Sequence, residues 1–180
     1  MGNDRRTEIM ENVKSLDGDA LVNINYLHEK VHKGLMLFTS HTFMEVPDDG
    51  TVYLRHKCGE TKYLHSQLDL STTGEWSFTS YGGSTYTGDG TEITQINRKS
   101  DSDYVPETTF YHTPTIDTLG TQRLQFNFGS GNNPAQATTG EFSERLESVF
   151  APDVDVLIAL QNLSGATQNI SGVFNHYEEE

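Results

Sequence analysis

The clearest chemical spacing in the chain belongs to His28, Glu29 and His32, which with Lys30 and Val31 spell H-E-x-x-H. On a helix, imidazoles four residues apart share a face and can take two positions on a zinc ion, with the glutamate between them as general base. That chemistry also requires a substantial helix, a third ligand downstream and a cleft. Gly34 and the strand-like run after it leave at most one helical turn beyond His32, and no H-x-x-G-x-x-H extension follows. The pentad therefore reads as a pair of histidines at a junction. A zinc metallopeptidase with ligands His28 and His32 and base Glu29 is retained as a remote alternative.

Other groups carry weaker suggestions. Cys58, near His56 and His65, could be drawn as a thiol nucleophile with its base, but no neighbour in the sequence would lower its pKa. A partly buried thiol at a turn is the simpler reading. The acidic pairs Asp17/Asp19, Asp48/Asp49, Asp101/Asp103 and Asp153/Asp155 could each attract calcium, yet none forms the twelve-residue EF-hand loop. Trp76, Tyr81 and Tyr86 lie near glycines and could make a carbohydrate platform; core packing accounts for Trp76, while both readings stay open for the tyrosines. Asn162 and Asn169 head glycosylation sequons. No residue is assigned a catalytic, cofactor-binding or metal-binding role, and no enzymatic activity is expected.

The elements that must position these groups are mostly strands. Residues 4–15 suit a short helix capped by Asp4, and Ala20 to Val31 fits helix and strand periodicity equally. From Gly34 onward the pattern is β. Leu35 to Val46 alternates, with Leu35, Leu37, Thr39, His41, Phe43 and Glu45 on one face. Further strands are predicted at Thr51–His56, Tyr63–Leu70 (Leu64, Leu68 and Leu70 inward), around Trp76 and Phe78, at Thr91–Ile96, Thr108–Thr113 and Gln122–Phe128, and in two closing runs after Val154 and Gln168. The four glycines and the Asp-Gly pair in 81–91 predict a looped hairpin, and 97–107 reads as a surface loop. Eight or nine short strands favour an all-β, jelly-roll-like β-sandwich over residues 31–180, preceded by a partly helical N-terminal arm at 1–30. The paired cysteines of an immunoglobulin framework are absent, because Cys58 is the sole cysteine.

The formal charge is −14, from 26 acidic and 12 basic residues. Binding to nucleic acid requires neutralised phosphates, so this balance argues against it. An acidic surface keeps a protein soluble, and a carboxylate-rich one also suits concentrated salt, where screening removes self-repulsion. No run approaches the roughly 20 apolar residues of a membrane span. The N-terminal residues lack the apolar core of a signal peptide, and Arg6 stands where a myristoylation signal needs Ser or Thr. The expectation is a protein made in the cytoplasm and not secreted, with neither membrane nor nucleic acid as partner.

Four stretches carry a family likeness: H-x-G at His32–Gly34 leading into the long strand, G-D-G-T…I-N-R from Gly88 to Arg98, T-x-Y-H-x-P-T-I from Thr109 to Ile116, and the closing pair of strands. Over roughly residues 28–177 the chain resembles small all-β structural proteins encoded in the head gene clusters of tailed viruses of bacteria and archaea. The resemblance implies a virion protein on the capsid surface that decorates or cements the shell. Its partners would be the major capsid protein and itself, as a homotrimer or alternatively a pentamer. It places Ile96-Asn97-Arg98 and Tyr111-His112 at strand ends and turns, without catalytic roles. The high acidity suits a virus of a salt-loving host. A carbohydrate-binding jelly-roll module on the virion is the alternative. Metal analysis separates out the peptidase reading: it requires one zinc per chain, lost in His28→Ala, whereas junction histidines predict no stoichiometric zinc.

Overall fold

The computed structural model describes residues 26–129 and 148–180. A short helix, α1 (Tyr26–His32), is followed by β1 (Leu37–Val46), β2 (Thr51–Lys57), β3 (Tyr63–Thr72), β4 (Trp76–Gly82), β5 (Thr85–Gly88), β6 (Thr91–Glu92) and β7 (Gln95–Asn97). Then come β8 (Thr109–His112), β9 (Thr115–Thr118), β10 (Thr121–Phe128), β11 (Ser148–Phe150), β12 (Asp155–Asn162) and β13 (Gln168–Glu179). The predicted helix at 4–15 and most of the 1–30 arm lie outside the described residues. Of the ambiguous run Ala20–Val31, the described part is helical, and α1 crosses the expected arm boundary at residue 30.

One sheet has the order β11-β3-β13-β1-β7, the other β10-β4-β12-β2-β8-β6, and β5 pairs with β9 alone. Without the short accessory strands, β11-β3-β13-β1 faces β10-β4-β12-β2. The chain crosses between sheets at β1–β2, β2–β3, β3–β4, β10–β11, β11–β12 and β12–β13, and the first and last strands lie side by side. This is the double Greek-key order of a jelly roll. The expected all-β sandwich is therefore present, and every pairing in it is antiparallel.

Alternation explains how the sheets meet. On β13, Ile170, Phe174 and His176 point inward and are buried; on β3 Leu64 and Leu70 do the same, with Leu68 partly buried against them. Trp76, Leu54, Phe110 and Leu160 complete the centre of the core. The alternation of β1 breaks at its end. Phe43 pairs with Ile170 but Val46 pairs with Gln168, so one extra residue bulges from β1. Glu45 takes φ 53° there and its N–H donates to Asn169 Oδ1 at 2.7 Å. The bulge leaves Glu45 exposed and buries Val46, correcting the expectation that Glu45 continues the face of Leu37, Thr39, His41 and Phe43.

The stretch 81–91 also departs from expectation. It is not a local hairpin: β5 pairs with β9, and β6 pairs with β8. Local turn propensity bends the chain but cannot choose a distant partner. Gly120, at φ 76°, packs so closely on the Gly82–Ser84 backbone that a Cβ would lie 2.6 Å from the Gly82 carbonyl oxygen, which lets the chain return tightly into β10. The predicted strand Thr91–Ile96 is split. Ile93 inserts into the core and donates its N–H to the Phe110 carbonyl, so β6 and β7 end up in different sheets.

At the end of the sandwich formed by the β1–β2 and β12–β13 connections, Asn162 is fully buried. Its side-chain amide donates to the carbonyls of Val46, Pro47 and Ala166, while its Oδ1 accepts from Ser164 N–H. One side chain thus fastens two turns. The sequon at Asn162 is closed to modification in the folded protein, because its nitrogen is buried and bonded; Asn169 is exposed.

Candidate functional site

Arg55 lies on the outward face of β2, yet only 5% of its side chain is exposed. Register places it opposite Leu157 on β12, two residues along from the Asp155–Lys57 pair and so on the same face. Its Nε and Nη2 contact the Asp155 carboxylate at 3.0 and 2.5 Å, and Nη1 reaches Asp89 at 2.6 Å. The Tyr86 ring covers the guanidinium, 3.8 Å from ring centroid to Cζ, and the Tyr86 hydroxyl donates to Asp155. Burial opposes the charge on Arg55, but the two carboxylates outweigh it and hold the pKa above its already high ordinary value. Tyr86 is pushed up to about 12, first by burial and then by Asp155. These contacts hold the part of the β4–β10 insertion around Tyr86 and Asp89 against the outer face of the six-stranded sheet. Leu157, which points outward like Asp155, is fully buried as a result.

A second anchor holds the loop between β7 and β8. Glu178, 4% exposed near the end of β13, accepts hydrogen bonds from Tyr104 Oη (2.6 Å) and from the N–H groups of Glu107 (3.0 Å) and Thr108 (2.6 Å). Burial raises its pKa, but these donors prevail and leave it below the ordinary carboxylate value. Gln95 extends the network, donating to the Thr108 carbonyl and lying 2.8 Å from His176 Nε2. Burial drives His176 down to about 4. The loop read from the sequence at 97–107 is thus pinned from beneath.

The groups singled out in the sequence are scattered. His28 and His32 stand exposed on α1 with their Nε2 atoms 2.8 Å apart, but the helix is a single seven-residue segment and Glu29 pairs with Lys33. Lys30 ties α1 to the sandwich through Glu179 and lies over the Tyr177 ring. No group of three or more His, Cys, Asp or Glu side chains suited to a metal occurs among the described residues. Cys58 is buried and its thiol is pushed up to about 12, chiefly by burial, the opposite of an activated nucleophile. His65 stacks on Tyr177 and His56 points into the core, so neither serves Cys58 as a base. Asp155 belongs to Arg55, Asp48 accepts from Gly165 N–H, and Asp101 pairs with Lys99; Asp17 and Asp19 lie outside the described residues. Trp76 is fully buried, as expected of a core residue. The guanidinium of Arg55 covers one face of Tyr86, which removes that face from any sugar platform.

Two features escaped the sequence reading. His41 and His112, from opposite sheets, stack with centroids 3.8 Å apart and Phe43 edge-on to His41. Nothing in their spacing brings residues 41 and 112 together. The second is a cavity of about 260 Å³ between the sheets, lined by Leu70, Phe78, Phe126, Phe150 and Phe174 among others, with His56 in its wall. His56 was visible only as a histidine in alternation with Val52 and Leu54, a pattern that places it inward without revealing that space lies beside it.

No protein-family model matches the chain, and no curated protein matches it.

Two substitutions test the anchors. Arg55→Met leaves Asp155 with a single neutral donor, Tyr86, and is expected to cost about 3 kcal/mol in denaturant unfolding, whereas Asp89→Ala, at an exposed carboxylate, costs little. Because Glu178 is more acidic in the folded state, its stabilisation is complete above its unfolded pKa of about 4.3 and is lost as the pH falls through the lower folded value. Glu178→Gln is therefore expected to be less stable than the wild type by about 2 kcal/mol at pH 7. That gap should close as unfolding is measured at pH values falling through 4; a gap independent of pH would contradict the assignment.

Proposed function

We propose that the protein is a non-enzymatic structural component of a tailed virus, a jelly-roll module that seats on the capsid surface, contacts copies of itself and cements the major capsid protein. The observation that carries this reading is the use to which the reactive side chains are put. Arg55, Asp155, Glu178 and Asn162 each fasten a loop or insertion to the sandwich, so that groups capable of chemistry serve to hold surface segments still. A rigid surface binds without ordering cost at the moment of contact, as a cementing protein requires. Val105, 80% exposed on the loop pinned by Glu178, is one apolar side chain presented this way.

The charge supports the same reading. An acidic module repels its own copies at low salt, so a closed oligomer needs apolar or salt-screened contacts and a self-complementary surface. The family resemblance over residues 28–177 supplies the viral context. Residues 1–30 are the segment proposed to reach a neighbouring subunit. A carbohydrate-binding role is the weaker reading, because Tyr86 is engaged by Arg55.

The test is assembly. In light scattering the full chain is expected to run as a closed homo-oligomer, a trimer first, and to co-sediment with shells of the major capsid protein of the same virus. Removing residues 1–25, which leaves α1 and Lys30 in place, is expected to weaken one or both interactions. A monomer that ignores such shells in both low and high salt would overturn the reading.

A further inference from the structure

The cavity between the sheets has a cation at its mouth. The space, about 260 Å³, lies between β4, β10 and β12 on one side and β3 and β13 on the other. It opens between the edge strands of the two sheets, β10 and β11, where Leu124 and Ser148 are exposed and Phe150 is half-buried. Within, Leu68, Leu70, Phe78, Phe126, Ile158 and Phe174 make an aliphatic and aromatic wall. An apolar cavity of about 150 Å³ stays dry and admits benzene, a six-carbon molecule. In proportion, this one admits about eight to ten carbons.

Arg123 reaches that mouth through a bulge. Gln122 pairs with Tyr81 and Leu124 with Ser80, so Arg123 is the extra residue on β10, and a bulge re-aims its side chain. On β4, Trp76 and Phe78 face the core, Ser80 lines the cavity, and alternation puts Gly82 on the same inward side. A Cβ on Gly82 would collide with Nε and Cζ of Arg123, so the guanidinium occupies the place of the missing side chain. It therefore lies on the inward side of the sheet, lining the cavity while still reached by solvent. Arg55 is taken up by Asp155 and Asp89, whereas Arg123 has no carboxylate partner among the described residues. An inward charge on an edge strand also keeps such edges from pairing with one another, but that role needs no cavity behind it.

We propose that the cavity binds a fatty carboxylate, whose single unbranched alkyl chain lies among Leu70, Phe78, Phe126 and Phe174 and whose head meets Arg123 at the mouth. A guanidinium forks onto a planar carboxylate through two parallel hydrogen bonds. The net charge of −14 opposes a dianionic head more strongly than a monoanionic one, and Arg123 itself repels an ammonium. Because the head stays at the solvent edge, neither charge is carried into the apolar interior. The proposal is independent of the assembly reading and holds for a monomer or an oligomer.

The probes are octanoate, butanoate and octylammonium. Calorimetric titration of the full chain at neutral pH is expected to show saturable binding of octanoate. Butanoate, which buries four fewer methylenes, is expected to bind about a hundredfold more weakly. Octylammonium carries the same tail and is expected to bind more weakly than octanoate, although the acidic surface favours it everywhere else. Arg123→Gln, at an exposed position, is expected to fold normally, to weaken octanoate about fivefold, as the loss of a partly exposed ion pair does, and to erase its preference over octylammonium. Ser80→Phe, which fills the cavity from a half-buried position, is expected to bind no octanoate while keeping the wild-type circular dichroism. Absence of saturable octanoate binding by the folded wild type overturns the proposal. So does a preference for octylammonium, octanoate affinity unchanged in Arg123→Gln, or binding undiminished in folded Ser80→Phe. If Ser80→Phe does not fold, Arg123→Gln and the butanoate comparison still decide the matter.

Discussion

The pairing of Arg55 with Asp155 is the constraint on which the outer half of the molecule depends. A guanidinium that is 95% buried is tolerable only with a carboxylate in bidentate reach, and β12 provides one from the neighbouring strand. Because Asp155 occupies Nε and Nη2, Nη1 remains directed away from the sheet, and Asp89 in the insertion meets it. The Tyr86 ring then lies on the guanidinium plane and Leu157 is sealed beneath. Of the long insertion between two adjacent strands of one sheet, β6, β7 and β8 extend the two sheets, and the short β5–β9 pair is the part tied down through Tyr86 and Asp89.

The same device recurs with different chemistry elsewhere. Glu178 collects donors from the β7–β8 loop, and Asn162 collects carbonyls from the turns at one end of the sandwich. Each buried polar side chain is nearly saturated, which is what makes it tolerable in the interior and effective as a fastener. Connections that composition alone would read as loose are therefore held in one arrangement. For a protein proposed to dock on a repeating shell, a fixed surface matters more than a reactive one.

His56 stands apart from this pattern. Its nitrogens are buried as deeply as the Asn162 amide but have no partner among the described residues, and its ring packs against Phe110, Phe150 and Phe174 at the margin of the cavity. Interiors are close-packed, so a void beside an unsatisfied polar group is a departure from both packing and polar satisfaction at one place.

Much of the sandwich was legible without coordinates. Alternation through Leu64, Leu68 and Leu70, through Leu124, Phe126 and Phe128, and along the last two strands carries its own period, and turns such as Pro47–Gly50 mark where it must break. The bulge at Glu45, the pairing of β5 with β9 and the splitting of residues 91–96 between sheets were not legible, because each depends on which distant backbone offers hydrogen bonds. The H-E-x-x-H spacing was plain, and so was the shortness of any helix to carry it; that Glu29 pairs with Lys33 required the fold. Residue order determined the strands, their inward faces and the acidic surface, since these follow from local period and composition. Tertiary structure alone decided that Arg55 meets Asp89, that His41 lies on His112 and that His56 faces a cavity, because contacts between residues far apart in the chain arise only when the sheets close on each other.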